Sequence, residues 1–223
     1  MKKLYAFLFL ILFSLSGLCA KNWTNNIGFG PLFAYSLLGL EDSDDISQLS
    51  YGINGTYLGI HENGFTFKAD VAVGATTSKD IKIQDRNANV GIFENLIFGL
   101  GYSFFNTKKV VFGLAGIVGV ELAQYGEEEQ NVNYDSHTAD FKKSNSIVAV
   151  SVGADLFGIY RFTDTFGIFL NLGTSYILSG KNTQEEKYEW KSSGLKKVHS
   201  VSAENKLRGK ILVQPTIGVI WTF

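Results

Sequence analysis

The sequence predicts an all-β fold, an eight-stranded antiparallel up-and-down transmembrane barrel, and three observations carry that prediction. After residue 20 the apolar residues recur with period two, the spacing of strands and not of helices. The strand-length segments are joined alternately by short and by long connections. The second face of these strands is small, with only rare charges, where a water-facing surface carries Lys and Glu. Composition agrees. Of 223 residues 45% are hydrophobic, 18% are charged, 24 are Gly and only 2 are Pro. That excludes disorder and a Pro-rich linker. So much Gly also argues against a helical bundle, since each interior Gly costs about 1 kcal/mol relative to Ala. A formal net charge of −1 leaves no basic footprint for nucleic acid.

The first element is an export signal. Residues 1–20, MKKLYAFLFLILFSLSGLCA, have a basic start at Lys2 and Lys3, an apolar stretch from Leu4 to Phe13 and a small-residue exit to Ala20. The apolar stretch falls short of the ~20 residues a spanning helix needs, so a cleaved signal is favoured over an anchor. Cleavage is expected after Ala20. Cys19 raises lipidation as an alternative, although Leu18 stands where a lipoprotein signal wants a small residue. If Cys19 leaves with the signal, the exported chain has no Cys and therefore no disulfide. Residues 21–223 then form one domain.

The expected strands are 27–38, 48–61, 65–77, 90–105, 110–125, 146–162, 165–179 and 207–223. Each reaches the 9–11 residues with which a tilted strand crosses a bilayer. Glu62-Asn63-Gly64, Asn106-Thr107-Lys108-Lys109 and Thr163-Asp164 are short turns, and Asn-Gly favours type I′. The segments 39–47, 78–89, 126–145 and 180–206 are long loops, and their alternation with the turns collects them at one end. A bulge is expected near Leu58 and Ile60, where the apolar face of the second strand shifts.

The faces identify the solvent. In 165–179 one face reads Phe166, Ile168, Leu170, Leu172, Thr174, Tyr176, Leu178, and the other Gly167, Phe169, Asn171, Gly173, Ser175. Strands 110–125 and 146–162 repeat the contrast. Small polar residues suit the interior of a narrow barrel, so the bulky face is expected to meet lipid. Closure follows, because an unpaired backbone group in hydrocarbon costs several kcal/mol. Aromatic girdles are expected from Phe29, Phe65, Tyr102, Phe104, Phe162, Phe166, Trp221 and Phe223 at the turn end, and from Tyr35, Tyr51 and Tyr176 at the loop end.

The last strand, LVQPTIGVIWTF, places Ile217, Val219, Trp221 and Phe223 on one alternating face. This resembles the C-terminal insertion signal of bacterial outer-membrane barrels. Gly99-Leu100-Gly101-Tyr102, followed by Ser103-Phe104-Phe105, is similar to their strand endings. The segment 21–223 as a whole resembles the small eight-stranded outer-membrane proteins of the OmpA, OmpX and OmpW group, without the soluble domain that follows the barrel in full-length OmpA. The resemblance implies residence in the bacterial cell outer membrane, contact with its lipid, and recognition by the barrel-assembly machinery during insertion. It also brings in two enzymes of this size, a palmitoyltransferase and a lipid A deacylase, which need a Ser and a His together with a supporting acid. Here His199, Ser200, Ser202 and Glu204 are close in sequence, in a polar segment where such composition is ordinary, and no catalytic role is expected.

By alternation Lys68, Asp70, Asn95, Glu121, Asp155, Arg161, Asn171, Lys210 and Gln214 point inward. A charge in a narrow lumen must be paired or hydrated. A polar network is expected, with Lys68 and Arg161 near Asp70 and Asp155, and with Glu121 and Lys210 nearer the loops. It either plugs the barrel or lines a gated path. His61, His137 and His199 have no neighbours at metal-ligand spacing, and no cofactor or metal site is readable. Segment 39–47 carries Glu41, Asp42, Asp44 and Asp45, segment 126–145 carries Glu127, Glu128 and Glu129, and 180–206 is rich in Lys. These are solvated surface, or they bind a cation, a glycan or another extracellular partner. The expected function is a surface-exposed structural and interaction protein. The alternatives are a narrow channel for small or apolar solutes and, third, a lipid-modifying enzyme.

Overall fold

In a computed structural model, which describes residues 22–41, 44–81, 89–134, 137–192 and 195–223, the chain is a closed antiparallel β-barrel. The signal segment and Asp42 lie outside the described residues. The strands are β1 (Trp23–Leu38), β2 (Ile46–His61), β3 (Phe65–Ser78), β4 (Asn89–Asn106), β5 (Val110–Tyr134), β6 (His137–Arg161), β7 (Phe166–Ser192), β8 (Leu195–Leu207) and β9 (Ile211–Thr222). Neighbours from β1 to β7 pair in sequence order. β9 then closes the wall between β7 and β1, with Tyr176 opposite Ile211 and Ile27 opposite Trp221. The wall has eight positions, because β8 and β9 are two parts of one. They are separated at 208–210, where Gly209 and Lys210 take φ of 63° and 100°.

Two of the expected long loops are strands. β5 and β6 run on past the barrel rim to Tyr134 and His137. β7 runs on to Ser192 and returns as β8. β6 and β7 stay paired from Arg161↔Gly167 to Thr138↔Lys191. Segments 126–145 and 180–206 therefore build a four-stranded extension of the wall, ordered β5-β6-β7-β8. From Gly180 to Ser192 it rises roughly 40 Å at about 3.3 Å per residue. Its Lys, Glu, Asn and Ser content hides it from a hydrophobicity pattern, because strands in water need no apolar face toward lipid.

The β2–β3 turn also differs from expectation. Gly64 has φ 93° while Asn63 does not enter the positive-φ region that type I′ requires. Gly64 N–H donates to the His61 carbonyl at 2.8 Å, and Asn63 Oδ1 accepts from Phe65 N–H at 3.0 Å. This is the three-residue connection, an ordinary turn followed by a left-handed Gly. The expected bulge near Leu58 is absent, and the register runs unbroken through Asn26↔Leu58↔Lys68. Leu58 and Ile60 keep the inward parity of Asn54 and Thr56; the lumen lining simply changes from polar to apolar there. Among the described residues the register shifts lie elsewhere, including one at Leu178 on β7.

The outer face is the expected one. Ile53, Val73, Ile92, Leu100, Val118, Leu170, Leu172 and Ile217 are exposed in a continuous belt. An apolar surface of this extent marks a membrane-facing wall. The girdle aromatics at its edges are exposed too, apart from half-buried Phe166. At the turn end their rings meet one another: Phe166–Trp221 at 5.6 Å, Tyr160–Phe162 at 5.4 Å and Phe104–Phe112 at 5.1 Å. No helix among the described residues is long and apolar enough to cross a membrane; the crossing elements are strands.

Candidate functional site

The lumen is filled in layers, beginning at the turn end. Arg161 closes the bottom. Its Nε donates to Thr222 Oγ1 at 2.9 Å and its Nη2 to Asn26 Oδ1 at 3.0 Å. Its Nη1 donates to the carbonyls of Thr107 and Lys108, both at 3.2 Å. One guanidinium thus ties β6, β9, β1 and the β4–β5 turn together, a use of the rigid donor fork. Above it lies an apolar layer of Leu58, Ile60, Val111, Phe157, Ile159, Phe169 and Ile220.

The ionic layer comes next. Lys68, on β3, is 0% exposed and reaches across to β6, with Nζ 2.5 Å from Asp155 Oδ2 and 2.7 Å from Asp70 Oδ2. Thr56 donates to Asp70. With its amide oriented to suit its neighbours, Asn171 accepts from Lys68 Nζ at 3.3 Å. Asn95 Nδ2 donates to Gln214 Oε1 at 2.7 Å. Higher still, Ser36 donates to Glu121 Oε1 at 3.2 Å, and Gln48 Nε2 donates to the Tyr125 hydroxyl at 2.7 Å. Counted around the wall, β4 faces β9 and β1 faces β5. The Asn95–Gln214 and Ser36–Glu121 bonds therefore join diametrically opposite strands. Such bonds need walls close enough for two side chains to meet, which is the width of an eight-strand interior.

Phenylalanine rings seal the spaces between polar layers, and each sits on a glycine. A Cβ placed on Gly28 would come within 2.7 Å of the Phe169 ring, on Gly113 within 2.3 Å of Phe157, and on Gly74 within 2.7 Å of Phe93. The outer mouth is closed by Leu38, Ile46, Leu207, Leu212 and by Ile81 from the β3–β4 connection, all buried. Sequence reasoning fills the interior with small polar residues and misses this apolar share. Its signal is the inward parity of Phe169 between Gly167 and Asn171.

Two of the nine lumen residues depart from the expected network. Lys210 does not point inward: the left-handed backbone at 209–210 swings it to the rim, where it pairs with Asp45. Arg161 is inward but distant from the acids, because six strand residues, roughly 20 Å, separate it from Asp155. Glu121 lies in the outer half, with Ser36 and without Lys210. Glu121 Oε2 and Asp155 Oδ1 are buried without a protein partner, as is the whole Asn54 amide.

At the rim, Arg208 Nη2 lies 3.1 Å from Glu41 Oε1, while Asp44 is exposed. Glu41 and Asp45 therefore pair with the basic junction of β8 and β9. Asp80 Oδ2 accepts from the Ser47 hydroxyl at 2.6 Å and the Ser47 N–H at 2.7 Å. These bonds hold the Asp80 carboxyl below its ordinary range, the hydroxyl contributing most.

Of the residues considered for catalysis, Glu204 bonds Lys181 at 3.2 Å, and the His199 side chain lies outside those described. His61 Nδ1 lies 2.9 Å from Asn63 Oδ1, and its ring meets Trp23 edge-on. Among the described residues no three ligand-type side chains group to hold a metal. Ile217, Val219, Trp221 and Phe223 face outward, and the Phe223 N–H donates to the Asn25 carbonyl at 2.9 Å.

This geometry is that of a small eight-stranded antiparallel β-barrel with an apolar outer belt. Two solved structures share the fold. Over 91% of this chain and 97% of the other, the outer membrane protein OprG from Pseudomonas aeruginosa superposes with a TM-score of 0.53 at 13% identity. A major outer membrane protein from Thermus thermophilus superposes with a TM-score of 0.50, also at 13% identity, over 88% of this chain and 99% of the other. At such identity the likeness is one of fold. No protein-family model matches the sequence, and no curated protein matches it either.

Proposed function

We propose that the protein is an integral component of the bacterial outer membrane whose barrel is a closed scaffold and whose working surface is its outer end. The observation that carries this reading is the bonding between opposite walls of the lumen, Asn95 to Gln214 and Ser36 to Glu121, with Lys68 bridging β3 and β6 between two carboxylates. A transport path would have to break these bonds. The charged four-stranded extension is the part of the molecule left free to meet other molecules. Export by the 1–20 signal, and insertion guided by Ile217, Val219, Trp221 and Phe223, complete the reading. A ligand or partner would be met at the extension or at the acidic rim residues Glu41, Asp44 and Asp45.

A narrow conduit for small solutes is the second reading. It is favoured by the buried polar atoms of Asn54, Glu121 and Asp155 that lack protein partners, since such atoms suit a hydrated gap. Solute efflux from vesicles carrying the folded protein separates the two. The scaffold reading expects vesicles loaded with a small sugar or ion to leak no faster than empty controls. Efflux proportional to the amount of folded protein would overturn it in favour of the conduit. The third reading, a lipid-modifying enzyme, draws no support from Glu204, which bonds Lys181.

A further inference from the structure

The ionic layer of the lumen does not balance. The ammonium of Lys68 has three donors, and they go to Asp70 Oδ2, Asp155 Oδ2 and the Asn171 amide oxygen. Thr56 donates to the other oxygen of Asp70. Asp155 Oδ1 is left buried without a protein partner. Two carboxylates therefore share one ammonium. Among the described residues the only other basic group inside the membrane-spanning wall is Arg161, which is spent at the turn end on Thr222, Asn26 and two carbonyls. Glu121, nearer the loops, adds negative charge and no positive. A buried charge is paired, or it binds a metal ion.

The strand register shows what lies across from Asp155. Followed around the wall, Asn26↔Leu58↔Lys68↔Gly99↔Ile117↔Gly153↔Ser175↔Leu212 returns to β1 at Ser36, so one circuit climbs ten residues and half a circuit five. β6 stands opposite β2. The row from Asn54 through Ala72, Asn95 and Glu121 meets β6 at Ala149, and five residues back toward the turns is position 154. Asn54 therefore faces Asp155 across the lumen, one residue from its level. It is 1% exposed, and both atoms of its amide are buried without a protein partner. Between them the inward positions Gly119, Gly153 and Gly173 carry no side chain. The Lys68–Asp70 pair lies below this space and the Asn95–Gln214 bond above it.

We propose that the lumen binds one monovalent metal cation, of the size of sodium, between Asp155 Oδ1 on β6 and the Asn54 amide oxygen on β2. The two ligands are oxygens, which suit a hard cation, and they are fewer than the roughly six to eight that calcium takes. The surplus charge of the layer is one unit, which a monovalent ion cancels. Water carried in by the cation completes its shell and accepts from Asn54 Nδ2. The ion closes the charge account of the layer and ties a second pair of opposite strands together. This goes beyond the scaffold reading and does not rest on it. A conducting lumen would overturn that reading and leave the cation site to its own test.

The test is urea unfolding in phosphatidylcholine vesicles, in sodium chloride and in choline chloride at equal ionic strength. A ligand that binds the folded chain and not the unfolded one raises stability with its concentration. The unfolding midpoint should therefore climb as sodium replaces choline and then level off. Asn54→Ala and Asp155→Asn should each abolish that climb. Asn145→Ala should keep it, because Asn145 is also buried with an unpartnered amide but lies on β6 ten residues from Asp155, beyond the layer. If one of the two variants fails to fold by gel mobility, the other carries the result, and radioactive sodium retained by the folded parent after gel filtration gives a reading without any variant. A parent midpoint that is the same in sodium and choline, with no sodium retained, would overturn the proposal and assign the surplus charge to a bound proton. Sodium dependence that survives both Asn54→Ala and Asp155→Asn, or that is lost in Glu121→Gln alone, would overturn it too, by placing the ion elsewhere.

Discussion

Replacing Lys68 by Met tests the lumen most severely. The substitution keeps the volume and removes the charge. It leaves Asp70 and Asp155 facing each other in a buried layer, since Lys68 is 0% exposed and its Nζ sits 2.7 and 2.5 Å from the two carboxylates. Removing one partner of a buried ion pair costs about 3–5 kcal/mol, because the remaining charge is uncompensated. At 1.4 kcal/mol per tenfold, the folding equilibrium falls by roughly a hundred- to several-thousand-fold. The assay is urea unfolding in lipid vesicles, followed by tryptophan fluorescence. The control is the triple variant Lys68→Met, Asp70→Asn, Asp155→Asn, which removes the stranded charges and should regain most of the loss. Groups in contact are coupled in mutant cycles, so the losses should not add. A single variant as stable as the parent, or a triple variant no better than the single one, would refute the argument that this layer is held by charge compensation.

Three further outcomes follow from the geometry. Gly28→Ala drives a methyl to within 2.7 Å of the Phe169 ring and should cost about 1–3 kcal/mol of unfolding free energy; Phe169→Leu should cost less in that background than in the parent. Leu170→Arg introduces a charge on the lipid face, where Leu170 is 58% exposed, and should cost about 2–4 kcal/mol in vesicle unfolding. Ser47→Ala removes the one bond from its hydroxyl to Asp80, whose folded pKa lies below its unfolded value, and leaves the bond from the backbone N–H. Its contribution is therefore present above the ordinary Asp pKa, about 3.9, and is lost as pH falls through the folded value. The melting difference between parent and variant should be constant near neutral pH and vanish in acid.

The barrel was legible because lipid imposes the simplest of patterns. Each crossing strand alternates a bulky outward residue with an inward one, and the run Phe166, Ile168, Leu170, Leu172 could face only hydrocarbon. The ends of the strands were hidden. Above the rim both faces meet water, so Thr183, Gln184, Glu185 and Glu186 look like a loop although they pair with Glu204 through Val201 in β8. Lys210 was misplaced because parity counting assumes an unbroken strand, and the left-handed backbone at 209–210 breaks it. The partners of Arg161 were misjudged because alternation gives the face of a residue but not its height. Parity put Phe169 inward, but the packing of the lumen phenylalanines was hidden because each fits only through a glycine on another strand, Phe169 on Gly28 and Phe157 on Gly113, and such a match between distant segments leaves no local pattern.

Single-channel conductance in a planar bilayer tests the central claim, that opposite walls of the lumen bond to each other and shut it. Protein whose folding has been verified by gel mobility is compared with a variant in which Asn95 and Gln214 are both Gly, so that one bridge is gone. The account predicts a silent parent and, because the Arg161 layer and the apolar outer mouth still block the path, at most a rise in leak from the variant. Discrete, reproducible steps from the parent, no smaller than those of the variant, would contradict it.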